Sequence, residues 1–417
     1  NPIAEDTGNF KSGTGGNMGI DTNPLNNANT YVQQDVTLGV SSAWAVLSFM
    51  EGALTVDVGR RKNPLWGTGI FLGSDFTPDR IFVTYRTSGF GGMLLPFFIY
   101  EHRADNSITY TSDLANRMNQ VLFGLIYVAP GKTVAGIVFN PNFVGKGYKL
   151  ANDGLFLFTV SGPPDTDYYF RAYSKESQIF WVNNLYIKHT IPLETIKITP
   201  EFEFNWGFGT IVDTFGVAAG TANDDPLAPQ KLVLDAKSFI LKVAVNMPKM
   251  VTITPEFALA LAPKKAKATK KYFNAYSFNE FCGSVYQIGL IFNKTAPSKL
   301  LTGDPTSATE VPSVYYIKAR VDADMLNEIV KGLGSYVQFI SSGVFGKLKN
   351  GSTEVPNSDK SVLSYEIDLG ISYKVDSHST IKVDFGYAKW GENTHFLATA
   401  ERKRKDMMFQ TELEVKF

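Results

Sequence analysis

Cysteine and histidine are scarce in this sequence, and neither sign of charge is in excess. One cysteine, Cys282, and four histidines are present among 417 residues. A single cysteine excludes an internal disulfide framework, and the dispersed histidines offer no spacing for metal ligands. Because 40 acidic residues balance 40 basic ones, no overall field attracts nucleic acid. The composition therefore predicts no metal site and no nucleic-acid partner.

Long apolar runs and nucleotide-binding motifs are also absent. The longest apolar run, Val121 to Ala129, is less than half of the roughly 20 residues that a membrane helix requires, which excludes a helical membrane protein. The glycine-rich stretch from Gly216 to Gly220 lacks the strand and helix context of a dinucleotide fingerprint, and the sequence has no P-loop. Four dispersed histidines give no support to a serine-hydrolase site. We expect no cofactor and no enzymatic activity.

Aromatic residues and glycine are abundant instead. Aromatic residues make up 13% of the chain, and there are 36 glycines. Charged residues make up 19%, below the roughly 25% that is usual for soluble domains. This mixture favours many strands and turns.

Apolar and polar residues alternate most clearly near the C-terminal end. Between positions 363 and 375 every odd residue is apolar or aromatic, and every even residue is polar, charged or glycine. The segments 381–388 and 409–417 repeat the pattern with little deviation. Side chains alternate in this way along a β-strand because its period is two. The pattern predicts strands of about ten residues, each with one apolar and one polar face.

Short turns alternate with long polar stretches along the chain. Turns with proline are predicted near 129–132, 190–193 and 246–249, and polar stretches lie near 104–116, 208–229, 263–272, 294–310, 348–361 and 392–405. The pattern continues over hundreds of residues without a linker, and a sheet in lipid must close because unpaired edge groups cost several kcal/mol each. We therefore predict an all-β fold, a single closed antiparallel transmembrane β-barrel of about 18 strands, with 16 to 20 as the range, short periplasmic turns and long extracellular loops.

The first thirty residues differ from the rest. Residues 1–30 are rich in glycine, asparagine and threonine and poor in apolar side chains. They are predicted to form a polar segment, either a disordered tail or a small plug inside the barrel. The barrel itself is assigned to residues 31–417.

The final strand resembles the insertion signal of bacterial outer-membrane proteins. Phe417 is the last residue, and Phe409, Leu413 and Val415 precede it on the same strand face. Thr411 departs from the apolar pattern. The resemblance implies a location in the bacterial outer membrane and recognition by the barrel-assembly machinery.

A second likeness lies nearer the N-terminus. The pattern G-R…W-G-x-G…D-R is similar to one in some porin-like barrels, and it is carried here by Gly59, Arg60, Trp66, Gly67, Gly69, Asp79 and Arg80. The glycines suit a tight loop that leaves a strand. The sequence leaves open whether this segment is an ordinary strand-to-loop exit or a constriction.

The polar strand faces are the predicted functional surface. If the apolar faces meet lipid, the polar faces line the interior. Carboxylates modestly outnumber basic groups there, which predicts at most a mild cation preference. The alternative is that the charges only pair across strands and fill the barrel. The predicted pore-lining residues are Lys197, Glu201, Glu203, Glu256, Lys318, Arg320, Asp322, Glu366, Asp368, Lys382, Asp384, Glu412 and Glu414.

Two basic clusters fall in the predicted long loops. Clustered cations on the extracellular side suit the phosphates of lipopolysaccharide, and solvation of the loops is the alternative interpretation. The residues are Lys264, Lys265, Lys267, Lys270, Lys271, Arg402, Lys403, Arg404 and Lys405.

Three functions fit these features. The leading hypothesis is a porin-like channel that allows small polar solutes to diffuse passively through a water-filled lumen. The alternatives are a substrate-specific transporter for hydrophobic or elongated molecules and a structural or adhesive surface barrel. Expected partners are outer-membrane lipid and lipopolysaccharide, the assembly machinery, and small polar solutes or ions. Whether the barrel is a monomer or a homo-oligomer stays open.

Overall fold

The computed structural model describes most of the chain from residue 43 onward. The described residues are 43–61, 66–68, 79–105, 117–144, 156–161, 167–170, 173–174, 178–219, 226–261, 270–273, 289–291, 309–310, 313–323, 325–345, 349–350, 353–354, 364–389 and 405–415. Residues 1–30 and Phe417 lie outside this set. The predicted boundary at residue 30 and the predicted role of Phe417 in the insertion signal therefore stay predictions.

The described chain consists mainly of β-strands. A short α-helix, α1 (Met325–Ile329), and a 3-10 helix (Met50–Gly52) lie in turns. The strands are β1 (Ala43–Phe49), β2 (Leu54–Arg60), β3 (Asp79–Tyr85), β4 (Thr87–Gly89), β5 (Gly92–Asp105), β6 (Arg117–Ala129), β7 (Thr133–Val144), β8 (Phe156–Ser161), β9 (Asp167–Phe170), β10 (Tyr173–Ser174), β11 (Gln178–His189), β12 (Ile191–Pro192), β13 (Lys197–Ala219), β14 (Pro226–Met247), β15 (Val251–Ala260), β16 (Lys270–Phe273), β17 (Thr309–Glu310), β18 (Ser313–Asp322), β19 (Leu333–Phe345), β20 (Lys349–Asn350), β21 (Thr353–Glu354), β22 (Ser364–Lys374), β23 (Ser379–Lys389) and β24 (Lys405–Val415). Among the described residues, no helix has the length and apolar character needed to cross a membrane.

One large sheet of 21 strands contains all the long strands. Each long strand pairs antiparallel with the next, in the order β1, β2, β3, β5, β6, β7, β11, β13, β14, β15, β18, β19, β22, β23 and β24. The all-β, antiparallel prediction is confirmed. The ladder starts at β1 and finishes at β24, and no pairing between these two strands is seen in the described part of the chain. Closure and the total strand number therefore stay predictions.

The connections differ in length between the two ends of the sheet. At one end they are short, at 50–53, 90–91, 130–132, 190–196, 248–250, 323–332 and 375–378. At the other end most are longer, such as 61–78 between β2 and β3 and 390–404 between β23 and β24. We call these the short-turn end and the long-loop end. The predicted asymmetry between turns and loops is confirmed. The predicted long loop at 208–229 is wrong, because β13 continues to Ala219 and β14 begins at Pro226.

Hydrogen bonds order the short-turn end. The backbone N–H of Thr190 donates to the Lys132 carbonyl oxygen at 2.6 Å, which joins two neighbouring turns. In the turn before β23, Asp376 Oδ1 accepts the N–H groups of His378 and Ser379, each at 2.7 Å. These backbone bonds favour the ionised carboxylate and lower the pKa of Asp376.

The two faces of the sheet reverse the usual arrangement of a water-soluble protein. On β22, Ile367, Leu369 and Ile371 are 40%, 49% and 57% exposed. Glu366 and Asp368, which alternate with them, are completely buried. Apolar side chains therefore occupy the outer face and charged ones the inner face. Burying an aliphatic side chain completely is favourable by about 1.5–3 kcal/mol relative to leaving it in water. Water is therefore an unfavourable environment for this outer face.

Close strand packing leaves room only for glycine at position 124. A Cβ atom on Gly124 of β6 would overlap the carbonyl oxygen of Ile137 on β7 and lie 3.0 Å from the Phe97 ring. The close approach of β6 and β7 at this point is therefore possible because Gly124 has no side chain.

We predict that Gly124→Val destabilises the protein by about 1–3 kcal/mol, the usual penalty for overpacking. Urea-induced unfolding, followed by tryptophan fluorescence, measures the change. The matched control is Gly91→Asn, at a turn position with φ 71° and no neighbouring atom within 4 Å, where asparagine tolerates the backbone. Equal unfolding midpoints for the two variants would contradict the packing argument.

Candidate functional site

A row of alternating charge crosses four neighbouring strands on the inner face. Glu201 on β13 lies opposite Lys242 on β14. Lys242 also lies opposite Glu256 on β15, which in turn faces Lys318 on β18. The Lys242 Nζ atom is 3.7 Å from Glu201 Oε2. Opposite charges on adjacent strands contribute about 0.2–1 kcal/mol per pair, so this charged row joins the strands while presenting both signs inward.

Two tyrosines orient the carboxylates of the charged row. The Tyr186 hydroxyl donates to Glu201 Oε1 at 2.7 Å, and the Tyr316 hydroxyl donates to Glu256 Oε1 at 2.6 Å. All four side chains are buried. Hydrogen bonds to ionised groups are stronger than neutral ones, so the tyrosines fix the geometry of the two carboxylates.

The charges nearer the short-turn end are accessible to solvent. Lys382 Nζ lies 2.9 Å from Glu414 Oε2 and 3.7 Å from Glu412 Oε1, and these three side chains are 35%, 33% and 46% exposed. Arg320 is paired with Asp322 on the same strand at 2.8 Å, and both are about one third exposed. We call these five residues the vestibule. Exposure falls from the vestibule toward the charged row.

Further predicted residues lie on the same inner face. Asp384 accepts a hydrogen bond from the Tyr336 hydroxyl at 2.9 Å. The Asp368 carboxylate accepts one from Gln338 Nε2 at 2.6 Å. Lys197, the first residue of β13, is exposed at the short-turn end. The predicted residues from β13 to β24 thus share one surface.

A segment between β2 and β3 lies against this inner face. Trp66 donates its indole N–H to Asn184 Oδ1 at 2.7 Å, and its ring lies 5.8 Å from the Phe97 ring. The Thr68 N–H donates to Glu203 Oε2 at 2.7 Å, and the Thr68 hydroxyl donates to the same oxygen. Asn184 Nδ2 also donates to Glu203, at 2.7 Å. Trp66 and Gly67 of the sequence motif therefore pack against the inner face of the sheet.

A second segment, between β16 and β17, lies against a different part of the wall. The N–H of Ile291 donates to Glu366 Oε1 at 2.6 Å, and the N–H of Leu290 donates to Asp368 Oδ2 at 3.1 Å. Leu290 and Ile291 are buried. Glu366 and Asp368 are therefore covered by protein rather than open to solvent.

Several inner-face residues were not predicted from the sequence. Arg80 Nη2 lies 3.2 Å from Asp57 Oδ2, and Arg61 Nη1 lies 2.9 Å from the same oxygen. Lys242 was also missed. Apolar inner residues such as Ile240 alternate poorly with their neighbours, so these strands carry a weak pattern. The D-R pair of the motif was the available signal for Arg80.

The remaining predicted residues fall into two groups. Phe409, Leu413 and Val415 are 69%, 66% and 43% exposed on the outer face of β24. Lys405, at the start of β24, is exposed and lies opposite Lys389. Lys270 and Lys271 belong to β16. The other basic-cluster residues lie outside the described part of the chain, namely Lys264, Lys265, Lys267, Arg402, Lys403 and Arg404.

Metal chemistry has no visible donor set. The described residues contain no group of three or more His, Cys, Asp or Glu side chains arranged to hold a metal ion. The inner face instead offers paired charges, hydroxyls and amides, which are groups that can form hydrogen bonds with polar solutes.

Cysteine labelling tests the assignment of the two faces. In a Cys282→Ser background in lipid vesicles, we predict that Glu412→Cys reacts rapidly with a charged, water-soluble thiol reagent and that Leu413→Cys does not, because adjacent strand residues point to opposite faces. Glu366→Cys is expected to react slowly, since that site is covered. Faster labelling at position 413 than at 412 would contradict the assignment.

Comparison with known proteins gives matches at the level of structure only. No protein-family model and no curated protein matches the chain. Among solved structures, Pseudomonas aeruginosa OpdR is similar with a TM-score of 0.45 and 10% identity, covering 90% of this chain and 80% of that one. P. aeruginosa OpdF in complex with glucuronate has a TM-score of 0.46 and 12% identity, covering 90% and 81%. P. aeruginosa OpdK with vanillate has a TM-score of 0.45 and 11% identity, covering 89% and 76%. Similarity at this level identifies neither a family nor a substrate for this chain.

Proposed function

We propose that this chain is a porin-like channel of a bacterial outer membrane, through which small polar solutes diffuse passively, and that it is not an enzyme. The observation that carries the proposal is the reversal of faces, with exposed aliphatic side chains outside and charged side chains inside. A sheet with an apolar outer face and a charged inner face is suited to lie in hydrocarbon and to enclose a polar interior.

Lipid also requires the sheet to close into a barrel. In hydrocarbon every backbone N–H and C=O group needs an internal partner, and an open edge leaves a row of them unpaired. The continuous antiparallel ladder from β1 to β24 supports this closure. In the proposed orientation the short-turn end is periplasmic and the long-loop end is extracellular.

The vestibule gives the channel a mild preference for cations. Its accessible carboxylates, Asp322, Glu412 and Glu414, outnumber its cations, Arg320 and Lys382. Each cation is paired with a carboxylate, and Lys197 is a further exposed cation at this end, so the excess of negative charge is at most small. Both signs nevertheless remain available to a passing polar solute.

Planar-bilayer recording tests this function. The purified protein is expected to conduct ions, with a reversal potential that favours cations weakly under a salt gradient. Glu412→Gln should reduce the cation preference and Lys382→Gln should increase it, because each changes the vestibule by one charge. Lys389→Gln, on the outer face, is the control and should leave the reversal potential unchanged. An absence of conductance would refute the open channel.

A transporter for hydrophobic or elongated molecules is the second candidate. Some inner-face residues beyond the charged row are apolar and fully buried, namely Ile240, Ala258, Ile340 and Ala388. The features that favour this candidate are the 31 phenylalanines of the chain and the possible plug at residues 1–30. If the wild-type protein is silent and deletion of residues 1–30 opens a current, the plug and the transporter are favoured over the open porin.

The outer face offers a contact for lipopolysaccharide at the long-loop end. Lys389 and Lys405 lie opposite each other on β23 and β24, and Lys389 Nζ lies 5.9 Å from the centre of the Tyr365 ring. The rest of the outer face of β23 and β24 is mostly apolar, so we expect the two ammonium groups to reach the level of lipid phosphates. The assembly machinery is proposed to recognise β24, whose outer face carries Phe409, Leu413 and Val415.

Lipid binding provides a separate test of this contact. The double variant Lys389→Gln, Lys405→Gln should lose most of the thermal stabilisation that added lipopolysaccharide gives the wild-type protein, because two phosphate partners are removed. Lys374→Gln, an exposed lysine at the short-turn end, is the matched control. Equal stabilisation of both variants would reject the contact.

A further inference from the structure

Two short segments meet the inner face in the same way. Residues 66–68 and residues 289–291 come from different connections and contact different strands. Each brings a glycine against a buried wall glutamate, Glu203 or Glu366. Each then donates a backbone N–H to that glutamate, one residue after Gly67 and two residues after Gly289. The same arrangement therefore occurs twice on the wall.

The glycines allow the close approach in these contacts. A Cβ on Gly67, where φ is 57°, would lie 2.7 Å from Glu203 Oε2. A Cβ on Gly289 would lie 2.6 Å from both Glu366 Oε2 and Ile340 Cδ1. Glu203, Glu366 and Ile340 are completely buried, so a Cβ at either glycine would force a buried side chain or the segment itself to shift. A larger residue would push the segment away from the wall.

A glutamate side chain is the acceptor in each contact. Its oxygen accepts a backbone N–H of the segment, and a buried N–H left without an acceptor is energetically costly. Glu203 holds its segment through two Thr68 donors. Glu366 acts together with Asp368, two residues further along the same strand, so that two consecutive N–H groups are held.

We propose that Glu203 and Glu366 are positioning residues that fix the two segments against the wall and thereby set the width of the lumen. The proposal rests on the proposed channel function for its consequence, but the attachment itself is independent of conduction. Glu412 provides a contrast, because it is accessible and pairs with Lys382. Its removal changes the interior charge without touching either segment.

Thiol labelling measures the attachment directly. In a Cys282→Ser, Leu290→Cys background, the buried position 290 should react slowly with a charged thiol reagent. Glu366→Leu removes the acceptor of the Ile291 N–H and should raise the labelling rate by roughly tenfold or more. Gly289→Ala keeps the charge and should also raise the rate. Glu366→Gln, which retains an acceptor oxygen, should stay near the parent, as should Glu412→Gln.

Single-channel recording then measures the width. Glu366→Leu, Glu203→Leu and Gly289→Ala are expected to raise the conductance, whereas Glu412→Gln should change ion selectivity without raising it. Labelling rates in Glu366→Leu and Gly289→Ala equal to that of the parent would overturn the proposal. If no variant conducts, the channel function fails, and the labelling result still decides the attachment.

Discussion

The pairing of backbone N–H and C=O groups between neighbouring strands along one continuous ladder is the constraint on which the rest of this structure depends. In hydrocarbon no water replaces a missing partner, so each strand needs a neighbour, and the long strands pair antiparallel one after another from β1 to β24. Once the ladder is fixed, alternate side chains point to opposite faces. The outer face becomes apolar, and polar groups are directed to the inner face.

The polar groups on the inner face are organised rather than dispersed. Lys242 lies between Glu201 and Glu256, so charges of opposite sign are adjacent across the strands. Deeper carboxylates serve a different purpose, since Glu203 and Glu366 accept backbone N–H groups from the two inward segments. Glutamate thus has two roles on the inner face. Near the short-turn end it is an accessible charge, and further in it is the acceptor that holds a segment against the wall.

The sequence predicts the fold well where alternation is regular. In β22, Glu366 and Asp368 alternate with Ile367 and Leu369, and the structure places the two sets on opposite faces. Lys242 could not be predicted, because its inner-face neighbours on β14 are mostly apolar and the period is hidden. The inward course of Trp66 was also beyond prediction, since a loop carries no periodicity and its contact with Asn184 is 118 residues away in sequence. Glycine at position 67 was compatible with both an exit and a constriction.

The most direct test of the central claim is quenching of tryptophan fluorescence by lipids with brominated acyl chains. Trp181 lies on the outer face of β11, between the buried inner residues Phe180 and Val182, whereas Trp66 lies inside. In variants whose only tryptophan is Trp181 or Trp66, brominated lipid should quench the fluorescence of Trp181 strongly and leave that of Trp66 nearly unchanged. Equal quenching of the two, or stronger quenching of Trp66, would contradict an apolar outer face in lipid around a polar interior.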